Sequence, residues 1–239
     1  MNMILFESLP ENCLIPASDE RARHIIEVLK LNQGDTFKMG LINRSEGDAT
    51  ITEIDEEGVR FSYEPRTVPT MHPVTLLCAQ VRPICMKRIL REAVSLGVRR
   101  IILCGSDTGE KSYLSSNLYK TGEYKEYLLD GAMQACHAGM SEVLFANTAD
   151  GAVRMVREHC AGSDLIMLDN VVGATALSTA EIGAEAVLAI GPERGWSDRE
   201  RKLFSEAGFR PMLLGSRVLR TETACSAGVA VLLSRMGLL

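Results

Sequence analysis

The chain has 239 residues, enough for one large domain or two modest ones, and its 46% apolar and 24% charged content is ordinary for a globular protein. Its 26 Lys and Arg against 31 Asp and Glu give a net charge of −5, so bulk charge gives no argument for nucleic-acid binding. Apolar runs are broken by charge or glycine well short of ~20 residues, which excludes a membrane-spanning helix.

The opening Met1–Glu7 lacks the cationic flank and long apolar stretch of a signal peptide and reads as a first strand. Glu20–Leu29 carries Ala22, Ile25, Ile26 and Leu29 at helical spacing, with Ser18 and Asp19 as cap residues. Short strands follow at Thr36–Ile42, Ala49–Ile54 and Val59–Tyr63, separated by turn-prone Gly34-Asp35, Glu46-Gly47-Asp48 and Glu56-Glu57-Gly58. Hairpins of this size suggest a small β-barrel over residues 1–68. Pro65, Pro69 and Pro73 cannot continue a central strand and are read as a linker.

From residue 74 to 239 strand alternates with helix. Val74–Ala79, Arg100–Cys104, Asp164–Leu168, Ala186–Ile190 and Arg210–Leu214 read as buried strands. Ile84–Leu96, Leu118–Cys136, Ala149–Cys160, Asp198–Ala207 and a last segment from near Thr221 to the C-terminus read as helices. Such alternation implies an α/β domain with a mostly parallel sheet, whose ligands sit at the carboxyl ends of the strands.

Seven cysteines without regular spacing and no Cys-x-x-Cys pair argue for free thiols in a reducing, cytoplasmic setting. The four histidines show no zinc-ligand spacing, and no metal is expected. Between Arg82 and Arg100 lie Lys87, Arg88, Arg91 and Arg99 against the single acid Glu92, a local basic surface compatible with phosphate contacts.

Two segments carry the chemistry. Ala186–Ile190 runs into Gly191-Pro192-Glu193-Arg194-Gly195-Trp196, and Ser197 with Glu200 forms a capping box that opens the next helix. The glycines let backbone approach a ligand, and the spacing is neither a dinucleotide fingerprint nor a P-loop. The second segment, Leu214-Gly215-Ser216-Arg217-Val218-Leu219-Arg220, leads into Thr221-Glu222-Thr223-Ala224, where Thr221 suits an N-cap and Glu222 the helix dipole. The last helix holds the small residues Ala224, Ser226, Ala227, Gly228 and Ala230, which serve either a tightly packed core or self-association.

Together these two segments resemble the paired signatures of RsmE-type RNA methyltransferases of the SPOUT class. His24-Ile25-x-x-Val28-Leu29-Lys30-Leu31-x-x-Gly34-Asp35 resembles the same family's N-terminal RNA-binding domain. The resemblance implies a PUA-like β-barrel, an α/β domain with a C-terminal trefoil knot, and a homodimer. It implies methyl transfer from S-adenosylmethionine to N3 of a uridine in small-subunit (16S) ribosomal RNA, with that RNA, in an assembled small subunit, as partner. By position, Leu168, Ile190, Gly191, Gly195, Leu214, Gly215, Ser216, Val218 and Leu219 would hold the cofactor. The chain departs from the family at Arg194, where glycine is usual, and at Trp196, where Phe is common. Met133-Gln134-Ala135-Cys136-His137 and Gly109-Glu110-Lys111-Ser112 match their family motifs loosely.

Removing the imide proton calls for a carboxylate, and the charge left on the base calls for a cation. Arg220 is the expected cation, with Glu222 or Glu193 handling the proton. Arg23, His24, Lys87, Arg88 and Arg91 are the expected RNA contacts, Lys87 and Arg91 sharing a helix face. The competing reading is a non-catalytic RNA-binding or ribosome-assembly protein that keeps the fold.

Overall fold

In a computed structural model, which describes residues 2–171 and 173–239, the chain divides into two units. One comprises residues 1–70 with 132–140, the other 71–131 with 141–239.

The first unit contains β1 (Ile4–Phe6), β2 (Leu14–Pro16), α1 (Glu20–Arg23), β3 (Thr36–Leu41), β4 (Ser45–Ile54) and β5 (Gly58–Thr67). They form a five-stranded mixed sheet in the order β1-β3-β4-β5-β2, with only the β1–β3 pair parallel. Alternate residues turn inward: Phe37 and Met39, Ala49 and Ile51, Val59 and Phe61 share one core with Ile25 of the helical segment. That segment begins on Asp19, which accepts from Arg21 N, and widens into a π-helical turn over His24–Val28. Asp19, and not Ser18, is therefore the cap.

β5 corrects the expected linker, because it continues through Pro65 to Thr67. The register shifts beside Gly47, the partner of Pro65, and a β-carbon at Gly47 would lie 2.0 Å from Glu64 O. Glycine lets the strands close on a proline that donates no hydrogen bond. The 132–140 segment joins this unit through Met133 O, which accepts from Asn2 N and Met3 N at 3.2 Å, and through Ala138 N, which donates to Glu46.

The second unit begins with β6 (His72–Ala79), α2 (Pro83–Ser95), β7 (Val98–Cys104), α3 (Asn117–Lys120), α4 (Tyr124–Ala135) and β8 (Glu142–Ala146). It continues through α5 (Ala149–His159), β9 (Asp164–Leu168), β10 (Thr175–Ala176), β11 (Ala186–Ile190), α6 (Asp198–Glu206), β12 (Arg210–Leu213) and α7 (Thr221–Arg235). The seven strands are parallel throughout, ordered β10-β12-β9-β11-β6-β7-β8. Their apolar runs are continuous because both faces are covered. Val187 and Ala189 of β11 pack with Ala152, Val153 and Phe204 of α5 and α6, while Leu188 and Ile190 reach Gly228 of α7.

The single helix expected over Leu118–Cys136 is instead two, broken where Gly122 takes φ +78°. The order β6-β7-β8 grows toward one edge, and β11, β9 and β12 fill the other side of β6. The order in which strands are added therefore reverses beside β6, the kind of point at which a crevice opens at the carboxyl ends of a parallel sheet.

Candidate functional site at the carboxyl edge of the parallel sheet

Three loops leave the carboxyl ends of β9, β11 and β12 and meet the start of α7 around one open cleft, with about 660 Å³ of space including its open mouth. Its lining takes in Leu168, Ile190, Gly191, Gly195, Leu214, Gly215, Val218 and Leu219 of the residues expected from the sequence, and Glu193 besides. Ser216 lies in the same β12–α7 loop, exposed and outside the lining. Trp196, Arg217 and Thr221, which lie in the two segments but were not assigned to the cofactor, also line the cleft, as do Asp169, Asn170 and Met212, which were not anticipated from the sequence. Asp169 and Asn170 directly follow a buried strand at the ligand edge, and that position was the available signal.

The loop after β11 is held at several points. Ser197 and Glu200 form the expected capping box, with Ser197 N donating to Glu200 Oε2 at 2.8 Å. Glu200 is fully buried, and its other oxygen accepts from Asp107 N at 2.9 Å, tying the loop after β7 to the start of α6. Asp107 also takes Arg199 at 2.8 Å and the Ser197 hydroxyl at 2.6 Å. The Arg199 guanidinium, then the Ser197 hydroxyl, holds the Asp107 carboxyl below the usual carboxylate range. Thr108 Oγ1 donates to Gly195 O at 2.6 Å, and Gly195 takes φ +71°.

On the opposite wall, Asp169 is almost buried and paired with Arg201 at 2.6 Å. Trp196 is 2% exposed and packs against Phe204 with ring planes tilted by 55° and centroids 4.7 Å apart, yet its indole Nε1 has no hydrogen-bond partner among the described residues. An unpaired buried donor beside a cleft is unfavourable unless something in the cleft accepts from it.

The start of α7 differs from expectation. Arg220 occupies the cap position with extended φ/ψ and no side-chain cap bond, and Thr221 is the first helical residue. Thr221 Oγ1 donates instead to Gly191 O at 3.3 Å, joining the helix start to the β11 loop. Arg220 is exposed, and Glu222, the second residue of α7, is half-buried; neither is among the residues that line the cleft. Burial, then the Glu222 carboxylate, and more weakly Glu193, push the Cys85 thiol of α2 upward in pKa. Two of the three expected catalytic residues thus converge on Cys85, a neighbour the sequence gave no reason to choose. Glu193 also accepts from Arg82 N at 3.5 Å.

Arg194 is exposed and absent from the cleft lining, so its long side chain leaves the cleft unobstructed. The small residues of α7 serve packing: a β-carbon at Gly228 would meet Leu168 Cδ1 at 2.8 Å and Leu188 Cδ2 at 3.1 Å. Ser226 hydrogen-bonds Glu92 of α2.

The expected basic surface on α2 is largely paired. Lys87 and Arg91 share a face as their spacing requires, but Lys87 is 2.6 Å from Glu123 and Arg91 2.6 Å from Asp130, both over the Tyr127 ring. Arg99 and Arg100 are bonded to Glu185 and Glu142. Arg88 is exposed. In the first unit Arg23 is exposed, and His24 Nε2 is buried without a partner among the described residues.

Residues 68–233 match the family model of the RNA methyltransferase domain. Over 98% of its length the chain is 35% identical to a ribosomal RNA small subunit methyltransferase E from Treponema pallidum, covering 91% of that protein. A structure of a ribosomal RNA small subunit methyltransferase E from Neisseria gonorrhoeae bound to S-adenosyl methionine superimposes with a TM-score of 0.80 at 21% identity, over 98% of this chain and 97% of that one. A putative methyltransferase from Legionella pneumophila in complex with the same cofactor gives 0.76 at 25% identity, over 98% and 97% of the two chains.

Proposed function

The chain belongs to the RNA methyltransferase family that includes the ribosomal RNA small subunit methyltransferases E, and we propose that it methylates N3 of a uridine in small-subunit (16S) ribosomal RNA. The observation that carries this reading is the cleft at the carboxyl ends of β9, β11 and β12, where strand ends and a helix start form a site suited to a nucleoside-like ligand.

The residues present fit S-adenosylmethionine. Leu168, Ile190, Met212 and Leu214 offer apolar walls for a flat ring, and Gly191 and Gly215 leave backbone accessible. The unpaired Trp196 Nε1 supplies a buried donor, and Asp169, fixed by Arg201, an acceptor. Ser216, Val218 and Leu219 belong to the loop that would close over the ligand. When bound, the cofactor supplies an electrophilic methyl group on a sulfonium.

This chain's own contribution is positioning and proton handling. The imide N3–H of uridine must lose its proton as the new bond forms, which spreads negative charge onto O2 and O4. Glu222 or Glu193 takes the proton, and the Arg220 guanidinium stands beside the developing charge. Water exclusion falls to the loop from Gly215 to Leu219.

The PUA-like nature of the first unit belongs to the same proposal, supported by its five-stranded mixed sheet and by likeness to the Neisseria fold; a C-terminal trefoil knot and a homodimeric state are proposed with it on the family resemblance. RNA docking rests on Arg23 and His24 in one unit and on Arg88 in the other; Lys87 and Arg91 would exchange carboxylate partners for phosphates. The non-catalytic reading draws on Arg194, which lies outside the cleft, and on the loosely matched Met133–His137 motif. Calorimetry with S-adenosylmethionine tests the proposal: micromolar binding is expected, and a protein that binds RNA but not the cofactor would refute it.

A further inference from the structure

Consecutive peptide units carry the cleft loop after β11 from Arg194 to Ser197, and they are held in different ways. The N–H of Gly195 donates to Pro192 O at 2.8 Å, which fixes the unit between residues 194 and 195. The N–H of Ser197 donates to Glu200 Oε2 at 2.8 Å, and the buried Glu200 anchors the unit between 196 and 197. The unit between them has its carbonyl at Gly195 and its N–H at Trp196. Among the described residues its one hydrogen bond comes from Thr108 Oγ1, which donates to Gly195 O at 2.6 Å, and the Trp196 N–H has no partner.

Gly195 is the point at which this unit can swing. Its φ of +71° lies in the left-handed region, and without a side chain it tolerates either orientation of the peptide that follows. Thr108 selects one of them. The peptide is trans, so a carbonyl held toward Thr108 turns the Trp196 N–H to the opposite side. Thr108 stands outside the cleft lining, whereas Trp196 N lies 3.2 Å from the point that a β-carbon on the cleft residue Gly191 would occupy. The unpartnered indole Nε1 is 3.3 Å from the same point, so both Trp196 nitrogens stand at the Gly191 wall.

Thr108 reaches Gly195 from a fixed base. Asp107 N donates to Glu200 Oε1 at 2.9 Å, and the Asp107 carboxylate accepts from the Ser197 hydroxyl at 2.6 Å and pairs with Arg199 at 2.8 Å. The residue before Thr108 is thus tied to three residues at the start of α6.

We infer that Thr108 is a positioning residue for the cofactor: its hydroxyl turns the peptide between Gly195 and Trp196 so that the Trp196 N–H faces the cleft and donates to an acceptor on S-adenosylmethionine. The inference rests on that cofactor occupying this cleft. Without the hydroxyl the peptide samples both orientations, and affinity falls with the fraction of molecules that keep the competent one.

Trp196 is the single tryptophan of the chain, so its intrinsic fluorescence follows S-adenosylmethionine titrations of the full chain without a label. Thr108→Val keeps the shape of the side chain and removes the donor; its dissociation constant should rise about fivefold, within the range of one lost hydrogen bond. Thr108→Ser keeps the hydroxyl and should bind within about twofold of the wild type, a rescue that a packing role for the methyl group would not give. Wild-type affinity in Thr108→Val, or equal weakening in both variants, would overturn the assignment. In the wild-type chain the Trp196 backbone amide resonance should shift at saturating cofactor. An unmoved resonance would also overturn it, and this measurement decides if Thr108→Val does not fold. A wild-type chain that binds no S-adenosylmethionine would overturn the cofactor reading, and the positioning role with it.

Discussion

Trp196 Nε1 lies 3.3 Å from where a β-carbon at Gly191 would stand, and Trp196 N lies 3.2 Å from the same point. The indole donor and the first glycine after β11 therefore meet at the cleft wall, and a side chain between them would be crowded. Gly191→Ala should place a methyl group over the unpaired indole donor. The expected result is a loss of S-adenosylmethionine affinity of about tenfold or more by calorimetry, with the fold retained. Unchanged affinity would separate this contact from cofactor binding.

Gly228 acts from behind the cleft. Its added β-carbon in Gly228→Ala would press on Leu168 Cδ1 and Leu188 Cδ2, and Leu168 is a cleft residue. Overpacking of this kind costs about 1–3 kcal/mol. Chemical denaturation should show that loss, and cofactor affinity should fall with it because Leu168 lines the cleft.

Arg220→Ala and Glu222→Gln separate chemistry from binding. Each should slow methyl transfer to small-subunit RNA by about a hundredfold or more, the scale of a lost proton acceptor or charge stabiliser. Neither should change cofactor affinity more than severalfold. Wild-type rates in both variants would show that the assignment of roles is wrong.

Asp107 gives a pH signature. Its folded pKa is depressed by Arg199 and Ser197, so its contribution to stability is complete above the unfolded value of about 3.9 and is lost as pH falls through the lower folded value. Urea unfolding followed against pH should show stability declining below about pH 4. Asp107→Asn should be less stable at neutral pH and show a shallower acid decline. An acid decline as steep as in the wild type would remove Asp107 from the account.

Much of the second unit was legible because β6, β9 and β11 are apolar on both faces and end in turns. β8 was missed: Glu142–Ala146 is an edge strand, buried fully only at Ala146, and lacks the continuous pattern of its neighbours. The capping box at Ser197 and Glu200 could be read locally, whereas the second bond of Glu200, to Asp107 N, joins residues 93 apart in the chain and has no local signal. For the same reason the glycines of the cleft were found and Cys85, which approaches Glu222 from another helix, was not. The cap of α7 was placed one residue late because Thr221 is a good capping type, and the structure uses its hydroxyl on Gly191 O. The charge run from Arg82 to Arg100 looked like an open basic face because its carboxylate partners, Glu123, Asp130, Glu142 and Glu185, come from distant segments.

The central claim is methylation of a uridine in small-subunit ribosomal RNA, and the most direct measurement is mass spectrometry of nucleosides from that RNA. Small subunits from a strain lacking this protein should be missing one N3-methyluridine, and incubation with the purified chain and S-adenosylmethionine should restore it. Small-subunit RNA with its N3-methyluridine intact in the deletion strain, or no methyl transfer to the deficient subunits, would contradict the claim.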